Sequence, residues 1–285
     1  MKTSLDCMPC FLRQALEAAR FVSSDPAFHE EIVRSILQDA ATLDLAKSPP
    51  AVAQQLHRRI RKTSGHTDPY RELKHSFNEL ALTLLPEIEK QIQNAADPFT
   101  TAVRYAIAGN VIDLGAKGSL SQDEVFQSID RALSDPFVGN VEALHQAVNE
   151  AKQILYLTDN AGEIAFDRLL IDQLPIERVT VAVKGHPVLN DAVIEDAIQV
   201  GLTERVTVID NGSDAPGTML DDCSETFRDL FKAADVIISK GQGNFETLSD
   251  ADQNIFFLFK VKCPVIANNC GYAVGTQVLL HKQHL

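Results

Sequence analysis

From residue 153 onward, short β-branched runs alternate with longer helical patterns, and that alternation restricts the second half of the chain to very few folds. The runs fall at 153–158 (QILYLT), 179–183 (VTVAV), 206–210 (VTVID), 236–239 (VIIS) and 264–267 (PVIA). Helical patterns separate them at about 162–174, 190–201, 217–234 and 249–260. Runs that are apolar throughout, rather than at every second residue, belong to strands buried on both faces. The spacing therefore predicts an α/β fold with a Rossmann-like, doubly wound, mainly parallel five-stranded sheet, in strand order 3-2-1-4-5. In such a sheet a ligand sits at the carboxyl ends of the strands, where the order reverses.

The first half reads differently. Apolar residues recur at three and four over 11–22, 28–43, 50–62 and 70–93, the last with Leu80, Leu84, Ile88 and Ile92 in one row. Residues 99–114 form a more apolar helical pattern, 121–133 opens with the capping pair Ser121 and Glu124, and 139–150 adds one more. Asp-Pro pairs at 25–26, 68–69, 97–98 and 135–136 punctuate these segments. The expected organisation is an all-α domain over 1–150 covering a site, and an α/β domain over 151–285 carrying it.

Charge narrows the partners. The 285 residues hold 26 basic and 39 acidic side chains, a formal charge of −13. Nucleic acid and anionic membranes are poor partners for such a chain. Trp is absent and aromatics are only 6%, which leaves few platforms for stacking bases. No apolar stretch nears the roughly 20 residues that span a bilayer. The opening MKTSLDCMPCFLRQ has no secretory pattern, so a cytoplasmic protein is expected. Five cysteines do not make a disulfide framework in a chain of this length.

The strand ends carry the chemistry. Strand one runs into Thr158-Asp159-Asn160-Ala161-Gly162-Glu163, and strand two into Lys184-Gly185-His186-Pro187 with Asn190-Asp191 beyond. Strand four runs into Lys240-Gly241-Gln242-Gly243-Asn244-Phe245-Glu246. Strand three ends in Asp210-Asn211-Gly212-Ser213, which reads as ordinary turn chemistry. Asp159, Asn160 and Asp191 are all oxygen donors, which suits a hard or borderline divalent cation: Mg²⁺, Mn²⁺, Co²⁺ or Ni²⁺. Lys184 and Lys240 supply positive charge, and Gly241 and Gly243 let backbone N–H groups approach an anion. Glu163 and Glu246 are the nearby carboxylates. Each loop alone reads equally well as a helix cap or a turn; three at one sheet edge point to phosphoryl chemistry. No G-x-G-x-x-G follows strand one, which disfavours a dinucleotide site.

These motifs together resemble the damage-control phosphatases, also known as domain of unknown function 89, in their cysteine-bearing prokaryotic-type branch. The likeness takes in Cys7-x-x-Cys10-Phe11-x-x-Gln14, Asp68-Pro69-Tyr70-x-x-x-Lys74 and Gly109-Asn110-x-Ile112-Asp113. In the second half it takes in the three strand-end loops and Lys260-x-Lys262-Cys263-Pro264-Val265. The resemblance implies metal-dependent removal of phosphate from small phosphorylated metabolites, such as sugar phosphates or phosphopantetheine-type compounds. It implies a single metal held by Asp159, Asn160 and Asp191, with Lys240 and Asn244 on the phosphate. Glu163 would contact substrate, and Asn110 would close the site from the helical side. Where the family's second metal motif often reads Ser-Asp, this chain has Asn190-Asp191 and keeps the carboxylate. Either a metal-bound water or Asp159 itself is the attacking group.

Two other readings stand beside this one. A non-catalytic protein could bind a phosphometabolite or nucleotide in the same pocket. A methyltransferase would expect a glycine-rich loop after strand one and an acidic end to strand two, and the Asp-Asn and Lys184 found there argue against it. Cys7 and Cys10 lack the second pair of a zinc site and the preceding strand of a thioredoxin-like motif, so packing of two small side chains is the plain reading. The basic run Arg58-Arg59-Ile60-Arg61-Lys62 reads as a solvated helix face rather than a nucleic-acid patch, or as a group that helps attract a phosphorylated substrate.

Overall fold

The computed structural model describes residues 1–109, 129 and 131–284. Asn110 and most of the helix expected at 121–133 lie outside the described residues.

The helical region opens with α1 (Met8–Val22), α2 (Pro26–Ala40), α3 (Pro49–Ser64), α4 (Arg71–Asn94) and α5 (Pro98–Ala108). Two of the Asp-Pro pairs prove to be helix starts. Asp25 accepts from the Ala27 N–H at 2.9 Å and Asp97 from the Thr100 N–H at 3.0 Å, with Pro26 and Pro98 as the first helical residues. An acidic cap followed by proline uses up N–H groups that have no helical partner.

Among the described residues the rest of the chain builds seven strands: β1 (Phe137–Gly139), β2 (Ile154–Leu157), β3 (Val179–Val183), β4 (Thr207–Asp210), β5 (Val236–Lys240), β6 (Ile255–Lys260) and β7 (Gln277–His281). Between them lie α6 (Val141–Glu150), α7 (Glu163–Ile171), α8 (Ile194–Gln199), α9 (Glu225–Ala233), α10 (Gln242–Leu248) and α11 (Pro264–Cys270). The sheet order is β1-β7-β6-β5-β2-β3-β4, parallel at every pair except β6 with β7. Its run β4-β3-β2-β5 is the 3-2-1-4 part of the expected order.

The end of the sheet departs from expectation in two segments. Residues 255–260, inside a stretch expected to be helical, are β6, and 264–270, expected to start as a strand, is α11. Both reversals have local causes. Ile-Phe-Phe-Leu-Phe alternates between the two cores, Phe256 and Leu258 on one face and Phe257 and Phe259 on the other. Pro264 has no N–H for a ladder but suits the first turn of a helix, with Cys263 extended before it. β1 and β7 widen the sheet from five strands to seven.

Three apolar cores hold these layers. The largest joins α4, α5 and α7 to one face of the sheet through Ala81, Leu85, Ile107, Phe166, Tyr156 and Ile238. The second fills the other face with Phe227, Phe231, Phe245, Phe257 and Phe259. The third packs α1, α2 and α3 around Phe11, Ile32, Ile36, Leu56 and Ile60. No helix among the described residues is long and apolar enough to cross a membrane.

Candidate active site

β5, β2 and β3 are parallel neighbours, so their carboxyl ends meet at one edge, where the chain order turns away on both sides of β2. The loops after β2 and β3 are stitched together there. An antiparallel bridge pairs Asn160 with Asp191. The Ala161 N–H donates to the Asn190 carbonyl at 2.8 Å, and the Ala192 N–H to the Asp159 carbonyl at 2.9 Å. Asp159, Asn160 and Asp191 are therefore gathered at one place. The loop after β5 closes on the same spot, because the Cα of Gly241 packs against the Asp159 carboxylate.

A hydrogen-bonded chain runs inward from this cluster. Asn160 Nδ2 donates to Asp159 Oδ2 at 2.8 Å and to Glu163 Oε2 at 3.1 Å. Glu163 Oε1 accepts from Lys240 Nζ at 2.7 Å. Lys240 also donates to Asp167 Oδ1 at 2.5 Å and to the Ala106 carbonyl of α5 at 2.8 Å. The Tyr156 hydroxyl completes the chain by donating to Asp167 Oδ1 at 2.7 Å. Glu163, Asp167 and Lys240 are all wholly buried. Burial alone would favour a neutral amine, but the Asp167 and Glu163 carboxylates outweigh it and raise the Lys240 pKa. Burial in turn lifts Asp167 above the usual carboxylate range, against the opposing pull of Lys240.

The remaining expected residues are placed as follows. Lys184 is buried; its Nζ donates to the Gly217 carbonyl at 2.8 Å and lies 3.5 Å from Asp191 Oδ2. Asn244 uses its amide inside the protein, donating to the Lys240 and Thr158 carbonyls at 2.8 and 3.2 Å and accepting from the Thr218 hydroxyl at 2.8 Å. Gly243 allows close passage of the loop before it in space, since a Cβ there would lie 2.3 Å from the Pro216 carbonyl. Glu246 faces the N-terminal segment: the Met1 amine donates to its backbone carbonyl at 3.1 Å. Burial pushes its carboxyl up to about 8.

Several contributors escaped the sequence reading. Asp167 lies four residues after Glu163, on the same face of α7, a spacing that could have flagged it in a mostly apolar helix. The loop after β4, read as a plain turn, is largely buried and organises its neighbours through the Gly217 carbonyl and Thr218. Its Asp214 accepts from Gln54 at 2.6 Å, from Arg58 at 2.6 Å and from Arg61. Two arginines of the basic run on α3 are thus anchors onto this loop, and Arg59 pairs with Asp39 at 2.8 Å. All five cysteines are free thiols, and burial raises the Cys7 pKa.

The donor set fits a divalent cation of the hard or borderline kind. Among the described residues no three His, Cys, Asp or Glu side chains converge into a metal cage. The gathered set is instead two carboxylates and an amide. The Asn160 amide spends its N–H donors on Asp159 and Glu163, so its carbonyl oxygen is the atom left to serve as a ligand. Such an open set leaves positions for water and a substrate oxygen.

Comparison with known proteins agrees on one family. Residues 3–278 match the model of the damage-control phosphatase ARMT1-like domain. A damage-control phosphatase of Pyrococcus horikoshii is 34% identical, with 99% of each chain covered. One from Archaeoglobus fulgidus is 33% identical over 98% of each chain. An uncharacterised protein of Methanocaldococcus jannaschii is 34% identical over 99% of this chain and 96% of its own. The crystal structure of a DUF89 family protein from P. horikoshii superposes with a TM-score of 0.87 at 31% identity, covering 99% of both chains.

Proposed function

The chain belongs to the damage-control phosphatase family of ARMT1-like domains, and from that membership we propose that it is a phosphatase that hydrolyses small phosphorylated metabolites with one divalent cation at Asp159, Asn160 and Asp191. The observation that carries the metal reading is charge. Four carboxylates (Asp159, Glu163, Asp167 and Asp191) share the site with two ammonium groups (Lys184 and Lys240). Among the described residues acidic groups outnumber basic ones here, a balance that favours a cation and, with the cation in place, a phosphate.

Asp159, Asn160 and Asp191 would hold the cation, which when bound supplies Lewis-acid polarisation of a phosphoryl oxygen. The protein's own residues do the rest. Lys240 fixes the Glu163 carboxylate by hydrogen bond, and Glu163 in turn holds the Asn160 amide. All three Lys240 protons are taken by protein acceptors, so its charge acts on the site through Glu163 and through space. Direct contact with a phosphoryl oxygen requires one of those acceptors to yield. Glu163 is placed beside Asp159 to orient an attacking water or a substrate hydroxyl. Asn244 and Gly243 tie the loops after β2, β4 and β5 together, and Lys184 balances Asp191.

The test is phosphate release from an aryl phosphate and a panel of sugar phosphates. EDTA-stripped protein receives Mg²⁺, Mn²⁺, Co²⁺ or Ni²⁺, with Asp159→Ala run in parallel. Metal-restored turnover that Asp159→Ala abolishes supports the reading. Metal uptake without turnover on any substrate would favour a binding protein instead. Turnover unchanged in Asp159→Ala would mean that the site lies elsewhere.

A further inference from the structure

The two loops that carry Asp159, Asn160 and Asp191 are joined by backbone bonds, but a side chain from the helical region also holds both. That side chain is Asn78, on α4 and wholly buried. Its Oδ1 accepts from the Gly162 N–H at 2.6 Å, two residues after Asn160. Its Nδ2 donates to Asp196 Oδ1 at 2.9 Å and to Gln199 Oε1 at 2.8 Å, both on α8, which begins three residues after Asp191. One amide thus spans the start of α7 and the helix after β3.

The far end of this brace is itself braced. Asp196 Oδ2 accepts from the Val193 N–H at 2.9 Å, fixing the chain just past Asp191. The same oxygen takes a hydrogen bond from Lys74 Nζ at 3.3 Å, and Lys74 pairs with Asp68 at 3.0 Å. Lys74, Asn78 and Asp196 are all buried, so each bond replaces water that cannot reach the groups. Gly162 has a φ of +77°, and its N–H needs a partner because the helix offers it none.

We propose that Asn78 is a positioning residue: through Gly162 on one side and Asp196 on the other, it sets the spacing of the two loops and so the affinity of the site for its divalent cation. The proposal rests on the metal reading above. It assigns the helical region a task in assembling the site, separate from covering it. Partners that orient ligands without touching the metal are worth about ten- to a hundredfold in affinity.

The test is titration of Mn²⁺ into EDTA-stripped protein, at a temperature well below the unfolding midpoint of every variant. Asn78→Asp keeps the acceptor for Gly162 but sets a carboxylate against Asp196; Asn78→Ser shortens the brace without adding charge. Both are expected to bind Mn²⁺ about tenfold or more weakly than wild type. The swap of Asn78→Asp with Asp196→Asn restores a donor facing an acceptor, and is expected to recover most of that loss. A merely structural residue would lower the midpoint and leave Mn²⁺ affinity of the folded protein unchanged; that result in both single variants overturns the proposal. Absence of Mn²⁺ binding in wild type, or full binding in Asp159→Ala, overturns the metal reading itself, whatever Asn78 does.

Discussion

A Cβ built on Gly241 would lie 2.1 Å from Oδ2 of Asp159, closer than any side chain can approach a carboxylate. The glycine also holds a φ of +81° with a ψ of 155°, a region closed to other residues. The absent side chain is thus what lets the loop after β5 close on the loop after β2. Gly241→Ala is expected to push the Asp159 carboxylate out of line with Asn160 and Asp191. Turnover should fall by about a hundredfold or more, on the scale of a misplaced catalytic group. Steady-state kinetics with saturating Mn²⁺ checks this; activity within threefold of wild type would show that Asp159 does not work from this position.

Lys240 and Asp167 should respond very differently to neutral replacement. Lys240→Met leaves Glu163 and Asp167 facing each other in a dry interior, which costs about 3–5 kcal/mol. Asp167→Asn keeps an oxygen for Lys240 and Tyr156 and removes one charge from a cluster with two carboxylates on a single ammonium. It is expected to change stability by no more than about 1 kcal/mol at neutral pH. Urea unfolding of both variants decides this. Equal losses would mean that the cluster is not charged as its geometry implies.

How far the sequence disclosed this molecule depends on the kind of information each feature needed. The central strands were legible because each is a short run rich in apolar and β-branched residues between turn residues, and their order is consistent with right-handed crossovers. β6 and α11 were not, because residues 255–259, IFFLF, carry no polar residue to mark their period, and residues 264–267, PVIA, are an apolar run that looks like a strand. The loops bearing Asp159, Asp191 and Lys240 were legible as polar, glycine-rich strand ends. Asp214 and Asn78 were not: their partners lie on α3 and on the loops after β2 and β3, more than 80 residues away in sequence. Local pattern marks a residue's element; it does not mark which distant backbone group needs that residue's amide.

The anchoring of α3 on the loop after β4 gives a stability contrast. Asp214 is buried against Gln54, Arg58 and Arg61, whereas Arg59 of the same α3 forms an exposed pair with Asp39 of α2. Asp214→Ala removes the shared acceptor of three side chains, which keep only Asp222 and the Pro187 carbonyl, and should cost about 1–3 kcal/mol. Arg59→Ala should cost about 0–1 kcal/mol, since water replaces its partner. Calorimetry on the two variants tests the ranking. A loss in Arg59→Ala as large as in Asp214→Ala would show that burial does not set the strength of these pairs.

Glu246 makes the stability of the chain depend on pH in a direction opposite to that of most carboxylates. Burial raises its pKa from 4.5 to about 8. The folded protein then holds a proton that the unfolded chain gives up, so stability is full below about 4.5 and falls as pH rises to about 8. His57 acts in the opposite sense: burial and then Arg61 lower its pKa from 6.5 to about 4, so its share is present above 6.5 and lost as pH falls to about 4. The two slopes oppose each other below pH 6.5, so the range from 6.5 to 8 is where Glu246 shows without the opposing slope of His57. Across that window its burial should cost about 2 kcal/mol, at about 1.4 kcal/mol per pH unit. Glu246→Gln keeps the shape of the side chain and removes the titration. Unfolding free energies of wild type and variant should therefore diverge with rising pH, the variant holding steady while wild type declines. Parallel curves from pH 6.5 to 8 would show that Glu246 is ionised in the folded protein.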